Sequence, residues 1–208
     1  MQEVWTGLKH TFYIFSHPFD GFWIMKSEKK GNVKSATVIL ILLIVTTAIR
    51  FLGSGYLFSS SALAGFSAWM LMLLVLALVL LYCVANWALT TLMNGNGSFK
   101  DIYISLMYAV TPVVLVNIPL TLISHILTAE EAAFYSFFSV VSIIWGLFLL
   151  LVGNMSIHEY SMLQSVITVI LSAAGIVAIA VLILLTSNLM QQVWLWASSI
   201  FKEFIMRF

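Results

Sequence analysis

The chain has little charge and a single cysteine. Only 8% of its 208 residues are Asp, Glu, Lys or Arg, whereas a soluble domain carries about 25%. So few charges cannot cover a water-exposed surface, which excludes an ordinary soluble protein. The net charge of +1 gives no support for a nucleic-acid partner. The lone Cys83 cannot form an internal disulfide and is interpreted as a small buried apolar residue.

Groups that carry catalysis are also scarce. None of the eight carboxylates falls in the middle of an apolar stretch, which argues against a proton-driven pump. His158-Glu159 resembles the start of a zinc-protease helix, but the second histidine four residues on is missing. The chain has no G-x-S-x-G elbow and no phosphate-binding P-loop. We therefore predict no enzymatic activity, no cofactor and no metal site.

Apolar residues are abundant: they make up 62% of the chain, and its mean hydropathy is +1.08. A helix needs about 20 residues to cross the hydrocarbon core of a bilayer. Five stretches meet that requirement, and the second is long enough to be tilted or to project. They are residues 35–52, a segment within 62–93, and residues 102–126, 132–152 and 162–187.

The sequence thus predicts an all-α polytopic membrane bundle with five transmembrane helices and amphipathic interfacial helices at both ends. Its parts are an N-terminal amphipathic segment (1–34), the transmembrane domain (35–187) and a C-terminal amphipathic helix (188–208).

Three capping patterns of the form Ser/Thr-x-x-Asp/Glu precede the last three predicted spans. They are Ser98–Asp101, Thr128–Glu131 and Ser156–Glu159. In each, the hydroxyl can accept a free backbone N–H, and the carboxylate lies at the positive end of the helix dipole. We therefore expect a helix to begin at each of the three.

Apolar stripes at both ends of the chain allow two interpretations: helices lying flat on the membrane surface, or grooves that bind a partner. In HPFDGFWIMKSEKKG, Pro18 is expected at the first position of a helix that ends at Gly31-Asn32. Helical spacing places Phe19, Phe22 and Trp23 on a common side, where they can rest among headgroups, and the lysines can meet anionic lipid. The candidate lipid or partner contacts are Pro18, Phe19, Phe22, Trp23, Lys26, Lys29 and Lys30.

The third predicted span contains two prolines, Pro112 and Pro119. Each removes a backbone N–H, and Thr111 and Asn117 are expected to pair with the carbonyl groups that this frees. Asn86, on the second span, is expected to hydrogen-bond to this helix. The span is interpreted either as a broken helix lining a substrate path or as a kinked packing helix.

The distribution of basic residues predicts an orientation. With five spans, one side holds six lysines, from Lys9 to Lys100, and the other holds only Arg50, Lys202 and Arg207. The positive-inside rule then places the N-terminus in the cytoplasm and the C-terminus outside.

Three segments carry a family resemblance: HPFDGFWIMKSEKKGN, NGNGSFKDIY and YAVTP. Over residues 17–187 the chain resembles the bacterial branch of the Yip family, most closely versions from Gram-positive bacteria. The resemblance implies five spans, a cytoplasmic N-terminus, and partner recruitment rather than catalysis. Eukaryotic relatives interact with Rab GTPases, but their Asp-Leu-Tyr-Gly-Pro motif is missing here.

The expected function is therefore that of a non-enzymatic accessory or scaffold protein in the cytoplasmic membrane. Its expected partners are lipids and a membrane protein. Because bacterial members of the resembling family tend to be encoded near sugar-uptake ABC transporters, a carbohydrate ABC transporter is the partner that the resemblance implies. The alternative is a small channel or permease that uses the proline-containing third span.

Overall fold

The computed structural model describes residues 2–28, 30–53 and 67–207. These residues form seven α-helices and one 3₁₀ turn, and no strand occurs among them. The helices are α1 (Gln2–Ser16), α2 (Pro18–Ser27), α3 (Val33–Gly53), α4 (Ala68–Leu92), α5 (Phe99–Ile123), α6 (Ala132–His158) and α7 (Met162–Arg207).

Helices α3 to α7 are long and apolar enough to cross a membrane, so the predicted five-span all-helical fold is confirmed. Central in the bundle is α5, which packs against α3, α4 and α6. In its most apolar window 56% of the residues are buried, against 11% in α7. The most apolar helices therefore lie outside, as expected where lipid rather than water surrounds the bundle.

Helices α3, α5 and α7 begin at one end of the bundle, where α4 and α6 end. We call it the lysine-bearing end because Lys26, Lys34 and Lys100 stand there. The short helices α1 and α2 pack against the bundle from this end, α1 on α3 and α5 and α2 on α6.

The capping predictions have mixed outcomes. Ser98 and Asp101 form the predicted capping box, with each side chain bonded to the other's backbone N–H. Glu131 binds the backbone N–H and hydroxyl of Thr128 across the 3₁₀ turn that precedes α6.

The third capping prediction, Ser156–Glu159, is wrong. Helix α6 continues to His158, and Glu159 ends it in the left-handed conformation at φ 59°. The cap before α7 is Ser161, whose hydroxyl accepts the Gln164 N–H while Gln164 Oε1 accepts the Ser161 N–H.

Two helix ends differ from their predicted positions. Helix α2 begins at Pro18 as predicted but ends at Ser27, and Asn32 instead caps α3 by accepting the Lys34 N–H at 3.0 Å. Residues 188–207 do not form a separate helix, because α7 continues through them without a break. That stretch contains no glycine or proline to stop it.

Candidate functional site

The loop Asn94-Gly-Asn-Gly-Ser98 wraps around the end of α6 at the lysine-bearing end. The Gly97 N–H donates to His158 Nδ1 at 3.2 Å. A Cβ on Gly95 would lie 2.5 Å from that nitrogen, and one on Gly97 would lie 2.6 Å from His158 Cε1. The two glycines are therefore needed for this close approach of the loop to the imidazole.

Lys26 of α2 connects this loop to the bundle. Its Nζ donates to the Ile157 carbonyl at 2.8 Å and to Glu159 Oε1 at 2.6 Å. The other carboxylate oxygen of Glu159 accepts from Asn96 Nδ2 at 3.0 Å. The hydrogen bond and the charge of Lys26 hold the pKa of Glu159 below its usual value. A lysine also suits the negative C-terminal end of the α6 dipole.

Tyr108, from the YAVTP segment, fixes the start of α3. Its side chain is fully buried, and its hydroxyl accepts the Asn32 N–H at 3.4 Å. A Cβ on Gly7 of α1 would lie 3.2 Å from the same hydroxyl. The three segments that carry the family resemblance thus contribute side chains and backbone to one assembly at this end.

Helices α1 and α2 fold back on each other. His10 Nε2 bonds with the Gly21 carbonyl at 3.0 Å, and burial lowers the pKa of His10, so the ring is the neutral donor at pH 7. A Cβ on Gly21 would lie 2.9 Å from Ile14 Cα, so the two backbones touch. Fully buried Phe22 packs at Gly153 of α6.

The predicted contact residues of this segment have several environments. Phe19 and Trp23 are exposed, as that prediction requires, and Lys30 forms an ion pair with Glu28 at 2.5 Å. Phe22 is a core residue, so it does not share a surface with Phe19 and Trp23 as expected. Pro18 is half-buried at the start of α2, Lys26 is engaged as described above, and Lys29 lies outside the described residues.

A buried polar network joins α4, α6 and α7. Asn86 Nδ2 donates to Asn154 Oδ1 and to Ser172 Oγ, both at 3.2 Å. Asn154 Nδ2 in turn donates to Ser165 Oγ at 3.3 Å. The expected partner of Asn86 was α5, and that prediction is wrong. Sequence patterns alone do not locate this network, because its members are 11 to 86 residues apart.

A small cavity of about 10 Å³ lies beside this network, lined by side chains that include Tyr82, Asn86, Ser105, Asn154 and His158. It has the size of a single water molecule. Because His158 Nδ1 accepts the Gly97 N–H, the neutral ring carries its proton on Nε2.

The proline-containing helix α5 is continuous from Phe99 to Ile123. The carbonyls freed by Pro112 and Pro119 belong to Tyr108 and Leu115. Thr111 and Asn117 instead bond the carbonyls of Met107 and Val113, so their expected role is wrong.

Asn117 has a different role. Its Oδ1 accepts from Arg50 Nη1 at 2.9 Å, while Arg50 Nη2 donates to Ser139 Oγ at 3.1 Å. The guanidinium also lies 5.6 Å from the centroid of the Tyr135 ring. Arg50 therefore joins α3, α5 and α6 at the end of the bundle opposite the lysines.

This arrangement can hold helices and a loop together, and it offers no assembled reactive centre within the described part of the chain. No three His, Cys, Asp or Glu side chains come together there. Glu159, which sequence reasoning treated as a cap or a catalytic candidate, accepts bonds from Lys26 and Asn96.

The chain is similar to a known protein family. The family model described as the Yip1 domain matches residues 12–185. Neither a curated protein nor a solved structure matches the chain.

Proposed function

Because the chain belongs to the Yip1 domain family, whose members are generally non-catalytic membrane proteins, we propose that it is an accessory or scaffold protein that holds a membrane-protein partner. We further propose that it resides in a bacterial cytoplasmic membrane with its lysine-bearing end in the cytoplasm. The lysines of that end support this orientation through the positive-inside rule.

The observation that carries the proposal is the uncovered surface of α7. This helix has 46 residues, or about 69 Å at 1.5 Å per residue, roughly twice the hydrocarbon thickness of a bilayer. Within the described residues it packs on α4 and α6, yet from residue 181 to 203 all but one residue is exposed. A helix of this length that the other described residues leave exposed supports a docking role.

The part of α7 beyond the predicted span 162–187, residues 188–203, is amphipathic. At 100° per residue, one face carries Leu189, Val193, Trp196, Ala197 and Ile200, and the other carries Asn188, Gln191, Gln192, Ser199 and Lys202, with Leu195 among them. The large apolar members of the first face are 47 to 67% exposed. Such a face suits a groove on a partner, in the way that amphipathic helices bind other proteins.

Two observations favour this proposal over a permease. Helix α5, the expected broken helix, is continuous. The cavity beside the buried asparagines holds about 10 Å³, which admits one water and no solute.

Site-specific photo-cross-linking in native membranes tests the proposal. A photoreactive side chain at Val193 should form a protein adduct of defined mass, and one at Gln191, on the opposite side of the helix, should not. The resemblance makes subunits of a carbohydrate ABC transporter the first partners to look for in that adduct. Lipid adducts alone at Val193, with no protein adduct, would overturn the docking role of α7.

A further inference from the structure

Helices α1 and α2 form a V. The start of α1 and the end of α2 both lie at the lysine-bearing end. We call the two helices together the N-terminal hairpin, residues 2–27. Its first arm starts beside α3, where Ser35 Oγ donates to the Val4 carbonyl at 3.4 Å. Its second arm ends beside the C-terminus of α6, where Lys26 binds the Ile157 carbonyl. The turn between the arms, at His17-Pro18, therefore points along the bundle and away from this end.

The position of the turn follows from its aromatic contacts with α6. The Phe15 ring lies 6.0 Å from the Trp145 ring, and the Phe19 ring lies 6.2 Å from the Phe148 ring, both measured between centroids. Trp145 and Phe148 are 13 and 10 residues before His158. At 1.5 Å per residue, they lie roughly 20 and 15 Å from the lysine-bearing end of α6.

The surroundings of α6 at that level are apolar. Trp145 and Phe148 belong to the stretch 143–152, which contains no polar side chain, whereas the residues from Gly153 to Glu159 include Asn154, Ser156 and His158. Neighbouring Ile144 and Leu147 are 59% and 53% exposed, so at this depth the bundle presents apolar side chains to its surroundings. In a membrane-spanning helix those surroundings are acyl chains.

The outer surface of the hairpin matches that medium near its turn. Phe12 is 57% exposed and Phe19 is 49% exposed. Measured from Gly153, where the apolar stretch ends, Phe148 and Trp145 lie about 7 and 12 Å deeper. His17 at the turn and Asp20 two residues after Pro18 are both exposed, and they limit the depth because polar side chains need water or headgroups within reach.

We propose that the N-terminal hairpin is re-entrant: its turn enters the upper acyl region of the leaflet at the lysine-bearing end, and acyl chains are its ligand. In this proposal the hairpin does not lie flat on the membrane surface, which is one of the two interpretations that its sequence pattern allowed. Its volume is added to one leaflet only, so its insertion depends on how tightly that leaflet is packed. The proposal is independent of which protein partner α7 holds.

Spin-label depth measurement in proteoliposomes tests the proposal. Cys83 is the only cysteine, so Cys83→Ala gives a background for single labels at Ser16 near the turn and at Ser27 at the end of α2. Both positions are exposed, and their replacement leaves the core intact. A label at Ile144 provides the acyl-chain reference.

If the hairpin is re-entrant, the label at Ser16 should have the same collision rates as the label at Ile144. It should collide frequently with oxygen, and it should collide with a water-soluble nickel complex several-fold more rarely than the label at Ser27 does. A second label, at Phe19, should give the same result. If Ser16 collides with nickel as often as Ser27, the hairpin is in water and the proposal is wrong. A depth profile from residue 9 to 27 that only oscillates every 3.6 residues, without deepening at the turn, identifies a flat helix and also overturns it.

Discussion

Replacing Asn86 by leucine tests whether the buried polar network stabilises the bundle. Asn86 is fully buried, and its amide makes hydrogen bonds to Asn154 and Ser172 on two other helices. Interhelical hydrogen bonds in membranes average about 0.6 kcal/mol each, so two give about 1.2 kcal/mol. The change also leaves Asn154 Oδ1 buried without this donor, at about 1–3 kcal/mol. We therefore expect Asn86→Leu to lower the free energy of unfolding by about 2–4 kcal/mol.

The assay is a double-mutant cycle with Asn154→Leu, measured by equilibrium unfolding in mixed detergent–lipid micelles. Once one asparagine is replaced, the second replacement removes less, so the two effects should fall short of additivity by about 1 kcal/mol. The matched control is Thr91→Val on the same helix, because exposed Thr91 bonds the Trp87 carbonyl of its own helix and, among the described residues, no other helix. Its effect should add to that of Asn154→Leu within about 0.5 kcal/mol. Additivity of the two asparagine changes within that same margin would refute the reasoning.

Three further predictions concern other contacts. Lys26 lowers the pKa of Glu159, so this pair stabilises the fold at neutral pH and stops doing so as the pH falls through that lowered pKa. Glu159→Gln should therefore remove this contribution to the acid sensitivity of unfolding and leave the contributions of other groups unchanged. The effect should be small and weaken with salt, since the carboxylate is exposed, and an unchanged pH profile contradicts it. Gly97→Ala would place a Cβ 2.6 Å from the His158 ring. Thermal unfolding should show that the free energy of unfolding falls by about 1–3 kcal/mol, and an unchanged value would contradict the close contact between the loop and the imidazole. Arg50→Lys cannot make both side-chain bonds across the helices, so it should cost about 1 kcal/mol by the same assay, whereas a lysine that fully replaces the arginine contradicts the bridging role.

The five spans could be predicted from the sequence because hydropathy and length are local properties. Their ends depended on tertiary contacts. The fourth span was predicted to end at residue 152, yet α6 continues to His158, where Asn154 bonds Asn86 and His158 accepts the Gly97 N–H. Ser156–Glu159 and Ser161–Gln164 match the capping pattern equally well, and only the tertiary structure determines that α7 begins after Ser161.

The candidate site was predictable in part. Lys26 was recognised as one of a basic cluster, but its partner Glu159 is 133 residues away, and no local pattern joins them. Helical spacing put Phe22 with Phe19 and Trp23 on one surface, whereas the contact of α2 with Gly153 buries Phe22 alone. The pattern of the N-terminal segment showed amphipathic helices and could not show that they fold into a V.

Cross-linking in native membranes, followed by gentle extraction and mass spectrometry, tests most directly whether this Yip1 domain protein acts by holding a partner. The account predicts a membrane protein recovered in a fixed ratio to this chain, cross-linked through the exposed face of α7. Recovery of this chain alone, together with solute flux into liposomes that contain only this protein, would contradict it.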